Sequence, residues 1–175
     1  MKKRNIIVGM LLATMGAASF SSCQKDEKIG GTAVQNLSGE YWIKIDNGAD
    51  PTGTFDDSYY TISLYNTSSN RADSVWIDDG YESATGVPFW QIKGKIAADA
   101  NNRTFSGTDI ANQEYDSKFT IKNGKILSKA ATAPGTKLKT DSIYFEIQFN
   151  DDPVPGTIHK VAGYARTRFD ADDHY

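Results

Sequence analysis

His159 and His174 are the two imidazoles in this 175-residue chain, so any base-assisted hydrolysis has only two places to start. His159 follows Pro153, Pro155 and Gly156 in a loop before the last extended run. There it serves either as a base beside a serine or aspartate, or simply as a solvated loop histidine. His174 lies among the last residues, which are expected to fray. Neither a Gly-x-Ser-x-Gly elbow nor a His-Glu-x-x-His pair occurs, so hydrolysis is the second reading and His159 its candidate catalytic residue. Four pairs of carboxylates, Asp56-Asp57, Asp78-Asp79, Asp151-Asp152 and Asp172-Asp173, sit near turn signals. They lack the Asp-x-Asp-x-Asp-Gly spacing of a calcium loop, and aspartate is common at turns for its own backbone bonding. No metal ion and no cofactor are expected.

Aromatic residues are the other functional resource. Nine Tyr, eight Phe and three Trp are present, and most fall in extended runs. Trp76, Phe89, Trp90, Tyr144 and Tyr164 are the candidate ligand-binding set, because an apolar ring with a polar tip suits an acyl chain or a sugar. The same rings serve equally well as core filling. Val87-Pro88-Phe89-Trp90, following Gly86, reads as an apolar lip at the mouth of a binding cavity.

Cys23 is the single cysteine. Lys2, Lys3 and Arg4, the apolar run from Ile6 to Phe20 and the small Ser21-Ser22 together describe a secretory signal over residues 1–22. Phe20-Ser21-Ser22-Cys23 resembles a bacterial lipobox, which makes Cys23 the lipidated first residue after cleavage and the membrane the first partner. Several acyl chains, at about 0.8 kcal/mol per buried methylene, hold such an anchor stably. Gln24-Lys25-Asp26-Glu27-Lys28 resembles an acidic export signal, so the expected location is the outer membrane, facing outward. It doubles as a solvated linker running from Cys23 to residue 36 with Gly30-Gly31. Without Lys2, Lys3 and Arg4 the chain holds 16 basic and 22 acidic residues, a net −6 that argues against nucleic acid. An outer-membrane protein partner stays open as a further possibility.

The elements that must position these residues are strands. Tyr41, Ile43 and Ile45 alternate with Trp42, Lys44 and Asp46; runs over 58–66, 73–78, 88–97 and 103–107 follow. Residues 118–121 and 125–128 flank Asn123-Gly124, the signature of a tight hairpin. Runs over 142–149 and 161–169 complete about eight strands, with Ile143, Phe145, Ile147 and Phe149 on one face. Short turns and sequential order favour an all-β, antiparallel up-and-down barrel over residues 37–170, with 171–175 as a tail. Eight strands leave an interior just large enough for side chains or one small ligand. Gly94, Gly107 and Gly163 are the natural bending points. Arg166 or Arg168 is expected to pack on Trp42 by cation–π contact where first and last strands meet.

Leu37-Ser38-Gly39-Glu40-Tyr41-Trp42 resembles the opening of lipocalin-like barrels, with one extra residue in the spacing. Tyr65-Asn66-Thr67-Ser68-Ser69-Asn70, Asp73 to Asp79 and Val161 to Phe169 are similar to a Bacteroidetes lipoprotein family described as lipid-binding putative hydrolases. That resemblance implies a lipocalin-like barrel and a small hydrophobic or amphipathic ligand; it carries no catalytic residues over. A non-catalytic, surface-tethered binding module is the first reading. A lipid or ester hydrolase and a structural accessory of an outer-membrane complex are the alternatives.

Overall fold

A computed structural model describes residues 31–46, 54–80 and 90–174. Cys23, the signal segment and Phe89 with the preceding part of the lip lie outside the described residues.

The expected strands form, in sequence order, one closed antiparallel barrel. They are β1 (Gly39–Ile45), β2 (Tyr60–Asn66), β3 (Ser74–Asp78), β4 (Lys93–Asp99), β5 (Thr104–Ala111), β6 (Lys118–Thr132), β7 (Lys139–Phe149) and β8 (His159–Ala165). Closure comes from β1 pairing with β8, Trp42 opposite Tyr164 and Ile43 opposite Gly163, so no strand edge is left open. The all-β up-and-down reading therefore holds in topology as well as in class.

One turn expectation is corrected. Asn123-Gly124 does not close a hairpin; it lies inside β6, where the pairing with β7 slips between Lys122 and Lys125. Asn123 takes φ 56° there, forming a bulge in a continuous strand. Gly124 is required for a local reason: a β-carbon on it would stand 2.4 Å from the carbonyl oxygen of Phe105. A left-handed Asn before Gly fits a hairpin and a bulge alike, and only the neighbouring strands select between them.

The alternation sends one side chain in two inward. Tyr41, Ile43 and Ile45 of β1, Ile62 and Leu64 of β2, and Val75 and Ile77 of β3 all enter one core. Phe105, Phe119 and the β7 row Ile143, Phe145, Ile147 and Phe149 complete it. Phe119 reaches across the space over Gly94, and Ile110 across that over Gly107. Leu37, Ile62, Ile77, Ile92, Phe145 and Val161 each expose 0% of their surface, so no water-sized hollow borders them. Side chains, not a central cavity, take up this part of the interior.

The two ends of the barrel differ. At one end the segment before β1 makes a turn, with the amides of Leu37 and Ser38 donating to the Val34 carbonyl. Val34 and Leu37 plug that end, and the Tyr41 hydroxyl donates to the Leu37 carbonyl at 3.0 Å. Val34, read from sequence as linker, is thus core. The opposite end carries the β1–β2, β3–β4, β5–β6 and β7–β8 connections.

A second, smaller core lies outside the barrel wall. Trp42 points away from the interior yet is 0% exposed, packed with Tyr164 and Ala133. The expected cation–π contact is made by Arg166, its guanidinium 5.4 Å from the Trp42 ring centre. Arg166 also donates to Glu40 and Asp173, while Arg168 pairs with Glu40. Residues 170–174 are tied to the barrel by specific contacts. Asp170–Asp172 form a short 3-10 turn, and the His174 ring stacks on Tyr59 at 3.6 Å. Asp172 binds this tail to the β6–β7 connection, accepting from the amides of Gly135 and Thr136 at 2.8 Å each and from both Thr136 and Thr167 hydroxyls at 2.6 Å.

Burial pushes the Asp172 carboxyl up, but these donors outweigh it and hold it at about 2, against an ordinary 3.8. A depressed carboxylate stabilises the fold above its unfolded-state value, and that contribution is lost as the pH falls through the folded-state one. Thermal melts between pH 5 and pH 2 should therefore show stability falling mainly below about pH 4. Asp172→Asn should be less stable at pH 5 and show a flatter profile; an unchanged profile would remove Asp172 as the acid-sensitive latch.

Candidate functional site

At the end opposite the Val34–Leu37 plug, inward-facing rings reach the surface. His159 opens β8 with the same parity as Val161, so its side chain points inward, paired across the sheet with Ile147. Phe149 ends β7 on the same face. Trp90, in the β3–β4 connection, packs its ring 5.1 Å from Phe149 and 5.7 Å from His159. Two of the backbone amides that seat Trp90 are held by Asp79, which accepts from the Trp90 N–H at 2.8 Å and the Ile92 N–H at 3.2 Å. Asp79 is 3% exposed, and burial raises its pKa despite those donors. A left-handed Gln91, at φ 54°, delays the start of β4 to Lys93 and leaves Trp90 over the barrel end.

His159 is not a solvated loop residue. Its Nε2 lies 2.7 Å from Asp152 Oδ2, with the two side chains 19% and 11% exposed. The hydrogen bond from His159 holds the Asp152 carboxyl below its ordinary value, against the opposing effect of burial. An imidazole oriented by a carboxylate in a half-buried mouth is half of a hydrolytic apparatus. Among the described residues, no serine, threonine or tyrosine hydroxyl hydrogen-bonds to His159. The nearby hydroxyl of Thr157 donates to the Val154 carbonyl at 2.7 Å, so it serves the loop.

The other candidate residues are dispersed. Trp76 and Tyr144 alternate with buried Val75, Ile77, Ile143 and Phe145, so both face away from the interior. Tyr144 donates its hydroxyl to Glu146 at 2.9 Å. Tyr164 belongs to the outer core, its hydroxyl donating to the Asp172 carbonyl at 2.9 Å and lying 2.6 Å from His174 Nε2. Of the described members of the set, Trp90 alone stands at the mouth, and Phe89 lies outside the described residues. Phe149 and Asp152, the neighbours of Trp90 and His159 at this end, are not among the residues that the sequence singles out for binding. The available signal was parity: running the β8 alternation two residues back puts His159 on the inner face.

Aspartates at the paired positions are committed to local structure. Asp78 accepts from Tyr65 at 2.7 Å and pairs with Lys93, Asp151 accepts from Tyr115 at 3.0 Å, and Asp173 accepts from Trp42 Nε1 at 3.1 Å.

The family described as "lipid-binding putative hydrolase" matches residues 26–170, which spans every strand and the mouth. The chain belongs to that family. Among curated proteins none matches. At the mouth Trp90 is partly buried against the core residue Phe149, and the Asp152–His159 pair stands beside it.

Proposed function

We propose that this protein is a cell-envelope lipoprotein, anchored to the outer membrane through acylated Cys23, that holds a small amphipathic lipid at the barrel mouth without turning it over. The observation that carries the reading is the position of Trp90 and Phe149. The partly buried Trp90 ring lies over the core ring of Phe149 and continues the apolar inner face outward, at the end away from the Val34–Leu37 plug, so an acyl segment gains apolar contact without displacing the packed core. Family membership supports a lipid as the ligand. The Asp152–His159 pair suits the polar end of such a molecule, as a hydrogen-bonding group beside the apolar surface.

The test uses the full chain purified from the membrane and extracted with organic solvent. A stoichiometric lipid in the mass spectrum is the expected result, and a clean extract counts against it. With a fluorescent fatty acid as probe, Trp90→Ser should weaken binding by about tenfold while leaving the melting temperature nearly unchanged. Equal affinity in that variant would move the ligand away from the mouth. Cys23→Ser should abolish incorporation of labelled palmitate; retained label would place the anchor elsewhere.

Hydrolysis of a lipid or ester is the second reading, favoured by the same 2.7 Å contact between His159 and Asp152. It predicts that His159→Ala removes an esterase activity that the Trp90→Ser variant only weakens.

A further inference from the structure

A groove of about 770 Å³ runs along the outer flank of β4 to β7, on the wall of the barrel and not at its mouth. Residues 97–99 of β4, including Ala98, residues 104–106 of β5, including Phe105, residues 123–125 of β6, and Tyr144 and Glu146 of β7 line it. We propose that this groove is a second binding site, for a neutral oligosaccharide.

Four observations support that class. Small residues, Ala97 and Gly124, line the groove, and the β6–β7 pairing slips beside them at Asn123. Glu146 is held rigid from both sides: Asn123 Nδ2 donates to one carboxylate oxygen at 2.8 Å and the Tyr144 hydroxyl to the other at 2.9 Å. Each oxygen keeps a further lone pair, and a fixed planar carboxylate beside a carboxamide matches the paired hydroxyls of a sugar ring. Tyr144 supplies a half-buried ring for the apolar C–H face of such a ring, and its present cover is the mobile end of Lys125, whose Nζ lies 5.1 Å from the ring centre. Thr104 and Ser106 add hydroxyls from the facing strand.

The same features exclude other occupants. Two carboxylates and one ammonium leave no positive field for a nucleic-acid backbone. A lining that mixes polar groups with the Phe105 and Tyr144 rings suits a sugar, which is itself both polar and apolar, better than an acyl chain. A barrel wall without a free edge offers no ladder for an added peptide strand.

Isothermal titration calorimetry on the full chain, with maltotriose, cellotriose and chitotriose as probes, tests the inference. At least one trisaccharide should bind with a millimolar or tighter Kd. Tyr144→Ala should weaken it by about tenfold or more, and Glu146→Gln by several-fold. Trp90→Ser should leave it unchanged, which separates this groove from the lipid site at the mouth. Should Tyr144→Ala not fold, Tyr144→Phe and Glu146→Gln carry the comparison. No binding by any of the three sugars, or binding that Tyr144 and Glu146 variants leave unaltered, overturns the inference.

Discussion

Gly163→Ala is expected to break the barrel at its closing seam. A β-carbon at this position would stand 2.0 Å from the Trp42 carbonyl oxygen and 2.8 Å from the Ile43 α-carbon. Both obstacles are backbone, so no side-chain rotation relieves them, and β1 must part from β8 around the Ile43–Gly163 pair. Overpacking a core typically costs about 1–3 kcal/mol, and each seam hydrogen bond stretched adds roughly 1 kcal/mol. A total above about 3 kcal/mol is a large share of the 5–15 kcal/mol that holds a typical domain together. Urea titration should show the midpoint falling steeply. Gly39→Ala is the matched control: its β-carbon meets nothing nearer than the Tyr41 ring at 3.4 Å, an ordinary contact. Equal midpoints for the two variants would mean that the seam yields more easily than its geometry implies.

Trp42→Ala should come close behind, at about 3–5 kcal/mol, the usual cost of emptying a fully buried aromatic site. Trp42 is 0% exposed although it faces away from the barrel, because the tail, the β6–β7 connection and Arg166 enclose it. Its removal also takes away the Nε1 donor to Asp173, so the tail should loosen along with the core. Hydrogen exchange at the amides of residues 170–174 should accelerate in Trp42→Ala and much less in Trp42→Phe. A loss below about 1 kcal/mol would show that the outer cluster is ornamental to stability.

These two sites show how unevenly the structure was legible. The strands over 41–46, 58–66 and 142–149 were plain because half-buried strands must alternate, and Ile143, Phe145, Ile147 and Phe149 do so without a break. The same parity places Tyr144 on the outside, against its expected part in a binding cavity. The Trp42–Arg166 contact was readable because closing an eight-strand meander brings its first and last strands together. By contrast, nothing local to Asp172 or His174 announces that the tail folds back; that contact needs the β6–β7 connection to be in place first. The pairing of Asp152 with His159 likewise depends on how a loop rich in Pro and Gly returns the chain, and such loops have no periodicity to read.

What the chain determines by itself is its class, its strand order and its inner face, since these follow from a repeat of two and from short turns. Whether eight strands enclose a hollow or a solid is a different matter, set by which rings lie over which glycines across the sheet. Phe119 over Gly94 and Phe105 beside Gly124 are neighbours only in three dimensions, and they fill the centre. That packing, together with the plug at one end, is why the partly buried Trp90 and His159, packed about Phe149, cap the core at the other end.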